Sequence, residues 1–343
     1  MNEQKSAIVS ESSAPLIEVK NLKKYFSISK DRILHAVDDV SFTINEGETL
    51  GLVGESGCGK STVGIVVMRL QPATSGECLV EGADVFKCKS RKEDLQYKKK
   101  MQIVFQDPYS SLNPKKTIRA ILSEGYKIHH TPKDQLNELL EKLSEKTGIS
   151  KDMWDQYPHE LDGGKRQVVG IARALSMNPK FIVCDEPVSS LDVSVQAKVL
   201  NLLMDLQKEM NLSYLFISHD LSVVKHISNR IAVMYLGQIV ELADKDALFS
   251  DTRHPYSIAL LSAIPKVDVN NKVNRIVLKG DVPSPINPKP VCRFANRCWM
   301  SQPICFEQEP EMRELSPGHC VKCHFAEESR NLMQSAETSN IDF

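Results

Sequence analysis

No run of about 18 apolar residues occurs in this chain of 343 residues, so no segment is expected to span a bilayer. The first fifteen residues, MNEQKSAIVSESSAP, lack an apolar core segment, and no secretory signal is expected there. Charge of one sign is not in excess. The formal net charge is -1, which speaks against a basic nucleic-acid surface or an acidic tail. No internal repeat and no low-complexity block interrupts the chain, so a repeat array is excluded. What is present is ordinary for a globular protein: 41% hydrophobic and 25% charged residues, with length for one large domain and a smaller appendage.

The coarse pattern is that of an α/β fold. LIEVKNLKKYFSI, ETLGLVG, KFIVCDEP and LSYLFISHD read as strands, and IAVMYLGQIVELA reads as a hairpin. Between them, VQAKVLNLLMDLQKEM puts Val195, Val199, Leu202, Leu203, Leu206 and Met210 on one helical face. Residues from about 107 to 175 are polar and helix-like. Strands alternating with helices predict a mainly parallel sheet. After about Pro255 the composition shifts towards Pro and Cys, which predicts a small separate module over 256–326. Residues 1–15 and 327–343 read as a disordered lead-in and tail.

The chemistry begins at GESGCGKS, Gly54 to Ser61, directly after an apolar strand. Gly54, Gly57 and Gly59 let the backbone curl so that its N–H groups point inward at phosphate oxygens. Glu55, Ser56, Cys58 and Thr62 complete the loop and its exit. Lys60 brings an ammonium to the β- and γ-phosphates, Ser61 offers a hydroxyl to Mg²⁺, and the following helix presents its positive end. FIVCDEP supplies the partner: Asp185 ends a strand where a carboxylate can hold the Mg²⁺ shell, and Glu186 is placed to polarise a water. His219 follows the strand LFIS and gains meaning if that strand ends beside the same phosphate.

Nine cysteines are unevenly spread, with Cys292, Cys298, Cys305, Cys320 and Cys323 close together near the end. In a reducing cytoplasm these predict a metal site rather than disulfides. The spacing of Cys292, Cys298, Cys305 and Cys323 fits neither common zinc pairs nor ferredoxin runs. Four thiolates could take Zn²⁺ or a [4Fe–4S] cluster, and either would help a small module fold.

Taken together, these motifs resemble ATP-binding cassette (ABC) ATPases, most closely the ATPase subunits of oligopeptide, dipeptide and nickel importers. The resemblance runs from about Leu16 to Phe325. GESGCGKS is similar to Walker A, FIVCDE to Walker B, SSLD (Ser189 to Asp192) to the D-loop and His219 to the switch histidine. VFQDPYSSLNP resembles the Q-loop region, in which Gln106 would sense Mg²⁺ and the membrane partner. Phe26 sits where the family stacks an aromatic on adenine, with Tyr25 as the other candidate. PYSSLNP, GDVPSPINP and CRFANRC narrow the match to the peptide and nickel branch, where four cysteines hold a [4Fe–4S] cluster. The resemblance implies a RecA-like P-loop core over 16–255 with an antiparallel β subdomain and a helical subdomain at about 107–175. It also implies a second, homologous ATPase subunit, two transmembrane permease subunits, an extracytoplasmic solute-binding protein, and a peripheral place on the cytoplasmic face of the membrane. No nucleic-acid partner is expected. The cargo would be oligopeptides or dipeptides, with nickel or another small solute as the alternative. A soluble, non-transport ABC ATPase is the alternative of another class, disfavoured by the lack of tandem cassettes and coiled-coil insertions.

One position departs from the pattern. The family signature reads Leu-Ser-Gly-Gly-Gln, and here it reads Leu161-Asp162-Gly163-Gly164-Lys165. Asp162 puts a carboxylate where a neutral donor would hold the opposite subunit's γ-phosphate. Two unit charges about 4 Å apart interact by roughly 4 kcal/mol at an effective dielectric of about 20. Such a repulsion predicts an asymmetric heterodimer in which the site containing Asp162 turns over poorly.

Overall fold

The computed structural model describes residues 14–264, 276–278, 280 and 282–329. The expected lead-in lies almost wholly outside the described residues, as does the tail beyond 329. The start of that tail is corrected: Ser329 is fully buried and its hydroxyl donates to the Arg253 carbonyl, so the packed chain continues past 327.

Among the described residues, twelve strands form two sheets. β1 (Ile17–Ser29), β2 (Arg32–Ile44), β4 (Ser75–Val80) and β5 (Ala83–Asp84) make an antiparallel sheet in the order β2-β1-β4-β5. The larger sheet contains β3 (Thr49–Val53), β6 (Met101–Val104), β7 (Phe181–Asp185), β8 (Ser213–Ser218), β9 (Arg230–Tyr235), β10 (Gln238–Asp244), β11 (Arg313–Ser316) and β12 (His319–Val321). Its order is β11-β12-β10-β9-β3-β8-β7-β6. β9, β3, β8, β7 and β6 are parallel neighbours. Every residue of β3, β7 and β8 is buried, because a parallel strand is covered on both faces and reads as a continuous apolar run.

Among the described residues, eleven α-helices accompany the strands: α1 (Lys60–Val67), α2 (Arg91–Lys100), α3 (Pro108–Ser111), α4 (Ile118–Ile128), α5 (Lys133–Thr147), α6 (Gly163–Leu175), α7 (Val193–Met210), α8 (Leu221–Ile227), α9 (Lys245–Ser250), α10 (Pro255–Ser262) and α11 (Pro303–Glu307). The helical subdomain expected at 107–175 is α3 to α6, bounded by β6 and β7. In α7 the buried stripe is Val199, Leu200, Leu203 and Leu206, while Val195, Leu202 and Met210 are only partly covered. The face is thus turned slightly from the one expected, because Leu203 and Leu206 pack onto the sheet and the Tyr214 hydroxyl donates to the Leu203 carbonyl.

The C-terminal region is not a separate module. β12 pairs with β10 and extends the main sheet. Tyr256 on α10 is fully buried, and Phe294 packs against Tyr235 and Tyr256 at 5.2 and 5.5 Å between ring centroids. A segment this short has too little apolar surface for a core of its own and shares that of the rest of the chain. Among the described residues, no helix is long and apolar enough to cross a membrane.

Candidate active site

Four adjacent parallel strands end on one side of the sheet, and each delivers one predicted group. β3 runs into the phosphate loop, β8 into His219, β7 into Asp185 and Glu186, and β6 into Gln106. Open parallel sheets bind ligands beyond the carboxyl ends of their strands.

In the loop, Gly54 and Gly59 have φ of 155° and 107°. A Cβ on Gly54 would lie 2.2 Å from the Met234 carbonyl oxygen, and one on Gly59 would lie 2.1 Å from that of Ala36, so no side chain fits at either. The loop is thereby pressed against the β2 and β9 backbones. Gly57 also has positive φ, with nothing within 4 Å of its Cβ position, leaving that face open. Lys60 is buried, and its Nζ donates to the carbonyls of Gly54 and Glu55 at 2.8 and 3.0 Å. Burial pushes the Cys58 thiol up, so it stays neutral at the loop. Ser56 and Thr62 flank the curl on either side, Thr62 within α1.

The Ser61 hydroxyl donates to Asp185 Oδ1 at 2.7 Å. Burial raises the Asp185 carboxyl above its usual range, partly offset by Ser61. A hydroxyl and a carboxylate side by side are oxygen ligands of the kind Mg²⁺ selects, so these two residues fit that ion. Glu186 lies one residue beyond, in the left-handed region at φ 45°, with its N–H bound to the Ile217 carbonyl at 2.9 Å. That backbone conformation costs a non-glycine residue of order 1–3 kcal/mol, a strain that clusters at active sites. It turns the Glu186 carboxylate to face both neighbouring strand ends. Oε2 accepts from Gln106 Nε2 at 3.0 Å and lies 3.1 Å from His219 Nδ1. Three residues scattered over more than a hundred positions therefore meet at one carboxylate oxygen.

The two aromatic candidates on β1 separate cleanly. The Tyr25 ring stacks on His35 at 3.9 Å between centroids, and its hydroxyl donates to Asp38. Burial opposes ionisation of Asp38, but Tyr25, His35 and Arg293 outweigh it and hold the carboxyl below its usual range. Tyr25 is thus engaged on the protein side. The Phe26 ring has the Lys24 ammonium over it, 4.8 Å from its centroid.

Asp162, Gly163 and Gly164 lie apart from this phosphate loop, at the start of α6, where their neighbours are Lys165, Leu191 and Val195. Asp162 is the N-cap of the helix: Oδ1 accepts from the Lys165 N–H at 2.8 Å, and Oδ2 lies 3.3 Å from Lys165 Nζ. The Lys165 N–H, then its side chain, holds the Asp162 carboxyl below the usual carboxylate range, so it is ionised. The departure from the family signature is therefore a pair of opposite charges rather than a lone anion. Lys165 therefore stands where it offsets part of the repulsion expected from the sequence.

Near the C-terminus, Cys292, Cys298, Cys305 and Cys323 lie within electrostatic reach of one another. Burial, then the neighbouring thiols, pushes Cys298 and Cys323 up to about 12, against main-chain N–H groups that act the other way. Cys320 faces Glu314 and Arg230 instead. Among the described residues no group of three or more His, Cys, Asp or Glu side chains is set to hold a metal ion, so the expected metal site is not a preformed one.

Sequence spacing gave no sign of three contacts behind the loop. Arg297 forks onto Glu55 at 2.8 and 3.2 Å, the Tyr256 hydroxyl accepts from the Glu55 N–H at 2.8 Å, and Arg293 reaches Asp38. The only available signal was an arginine beside each of two cysteines in CRFANRC.

Comparison with known proteins agrees with this geometry. Residues 37–189 match the ABC transporter family, and residues 240–305 match the oligopeptide/dipeptide transporter C-terminal region. The chain is 50% identical over 328 residues to a putative oligopeptide transport ATP-binding protein, YkfD, of Bacillus subtilis strain 168, covering 94% of this chain and 97% of that protein. It is 44% identical over 323 residues to the dipeptide transport ATP-binding protein DppF of Escherichia coli K12, covering 92% and 96%. Among solved structures it is similar to dimeric MJ0796, a bacterial ABC transporter cassette, with TM-score 0.61 and 25% identity over 67% of this chain and 98% of that one. Phosphate loop, strand-end carboxylates and C-terminal region together make the chain a member of the ABC transporter ATPase family, in its oligopeptide/dipeptide branch.

Proposed function

We propose that this chain powers the import of oligopeptides or dipeptides by hydrolysing ATP between its own phosphate loop and the signature loop of a second, homologous ATPase subunit. The observation that carries this is the meeting of Gln106 and His219 on the Glu186 carboxylate, beside Ser61 and Asp185. Lys60 and the loop N–H groups bind the triphosphate, and Phe26 stacks on adenine. Ser61, Asp185 and Gln106 would hold Mg²⁺, which when bound would supply neutralisation of the β- and γ-phosphate oxygens. Glu186 takes the proton of the attacking water, and His219 orients Glu186 and steadies the γ-phosphate. The similarity to a dimeric cassette supports pairing of two such domains. The full assembly would include two permease subunits and an extracytoplasmic solute-binding protein, with this chain peripheral on the cytoplasmic face.

Asp162, Gly163 and Gly164 face the second subunit's nucleotide in this arrangement. An acceptor at Asp162 holds that γ-phosphate less well than a hydroxyl donor, even with Lys165 beside it, so the two sites of the heterodimer differ. Cys292, Cys298, Cys305 and Cys323 are the ligand set for a [4Fe–4S] cluster. Support comes from their mutual approach and from the Phe325 N–H that points at the Cys323 sulfur at 3.4 Å. A cluster would tie together the ends of the C-terminal region. Anaerobically purified protein should contain iron and sulfide, retained in Cys320→Ser and lost in Cys298→Ser. Equal iron in both variants, or none in the parent, removes the cluster.

The transport reading is tested by co-expression with the neighbouring permeases and reconstitution with a binding protein. Peptide should stimulate the ATPase, and Lys60→Ala should abolish both hydrolysis and uptake. Stimulation by nickel and not by peptide would move the cargo to the alternative.

A further inference from the structure

The segment between Cys292 and Cys298 enters the wall of the nucleotide site with two arginines, both only 7% exposed. Arg293 donates to the Leu236 carbonyl and to Asp38. The next residue of that hairpin, Gly237, gives its N–H to the Cys58 carbonyl of the phosphate loop at 2.8 Å and accepts from the Asp38 N–H at 2.8 Å. The segment is thereby fixed to the back of the loop. Arg297, five positions from Cys292 and adjacent to Cys298, then makes a two-pronged contact with Glu55, Nη1 to Oε2 at 2.8 Å and Nη2 to Oε1 at 3.2 Å. The Glu55 main chain is held as well. Its N–H donates to Tyr256, and its carbonyl accepts from Lys60 Nζ.

Glu55 poses an electrostatic problem. It places a carboxylate inside a loop whose purpose is to attract a polyanion. A free carboxylate there would repel the triphosphate and compete for Lys60. Arg297 neutralises it and, being a rigid planar fork, also fixes its direction. The Tyr235 ring beneath the guanidinium, 6.0 Å away, and Phe294 close the other side.

We infer that Arg297 is a positioning residue of the nucleotide site: the C-terminal segment uses it to cancel and restrain the Glu55 charge so that the phosphate loop can accept ATP. The C-terminal region is on this view part of the nucleotide-binding apparatus, and the inference rests on binding at that loop.

The test is titration of the full-length chain with MgATP and, in parallel, with adenosine. The parent should bind MgATP; if it does not, the nucleotide reading itself fails. Arg297→Gln should raise the ATP dissociation constant roughly tenfold, about 1.4 kcal/mol, and leave adenosine binding nearly unchanged. Adding Glu55→Gln to that variant should recover most of the loss, because the unbalanced charge is gone. Arg297→Lys, which keeps the charge without the fork, should fall between parent and Arg297→Gln, and it carries the test if the latter does not fold. ATP binding within twofold of the parent in the arginine variants overturns the inference. So does a double variant that binds ATP more weakly than the single one.

Discussion

At the scale of single residues, the chain solves two charge conflicts in the same way. Glu55 sits in an anion-binding loop and is answered by Arg297; Asp162 sits in a signature loop and is answered by Lys165 three positions on. The second pair is exposed, so its worth lies in local charge rather than in stability. Lys165→Gln alone should therefore lower the ATPase rate of the assembled complex several-fold, since it leaves a bare carboxylate facing the opposite nucleotide. Asp162→Ser in that background should restore or exceed the parent rate. An ATPase indifferent to both variants would mean that this loop does not face a phosphate. The first conflict was invisible in the sequence because its two partners are 242 positions apart. The second was half legible. Asp162 stood out against the family signature, with Lys165 near enough in sequence to offset it, but its role as helix cap depends on the turn that α6 makes.

At the scale of elements, most of the site was readable. Continuous apolar runs ending in Gly54, Asp185 and His219 marked parallel strands, since only such strands bury both faces. Their lateral order was not readable, and that order brings Gln106, Glu186 and His219 together. Nor was the positive φ of Glu186, which nothing in a local pattern signals for a non-glycine residue. The C-terminal elements were misjudged for a related reason: the pairing of β12 with β10 is a contact between distant segments, and composition reports only the change from one to the next.

The start of α10 offers a test of packing at this scale. His254 is its N-cap, with Nδ1 accepting from the Tyr256 N–H at 3.1 Å, so the ring is neutral there. Burial lowers its pKa from 6.5 to about 3. The unfolded chain then binds a proton between those values and the folded chain does not, so stability is full above about 6.5 and is lost as pH falls. The loss is about 1.4 kcal/mol per pH unit in that window. His254→Asn keeps a capping acceptor but does not titrate. Its denaturant midpoint should fall less between pH 7.5 and pH 5.5 than that of the parent, and identical slopes would show that His254 is not the group responsible.

At the scale of the whole molecule, the C-terminal region, the two sheets and the helical subdomain share one task. The parallel sheet gathers the groups that hold and cleave ATP, the antiparallel sheet brings Phe26, and the C-terminal region braces the loop from behind. The helical subdomain carries α6 and its signature loop, which in the proposed function would meet a second subunit. Under the proposed function the two composite sites of such a pair would be unequal, with the one built on this chain's own strand ends as the hydrolytic one. The most direct measurement is single-turnover ATP cleavage by the assembled complex with Glu186→Gln in this chain alone. The account predicts MgATP bound as tightly as by the parent and cleavage slowed by roughly 10² to 10⁴, the usual contribution of a general base. Cleavage at the parental rate would contradict it.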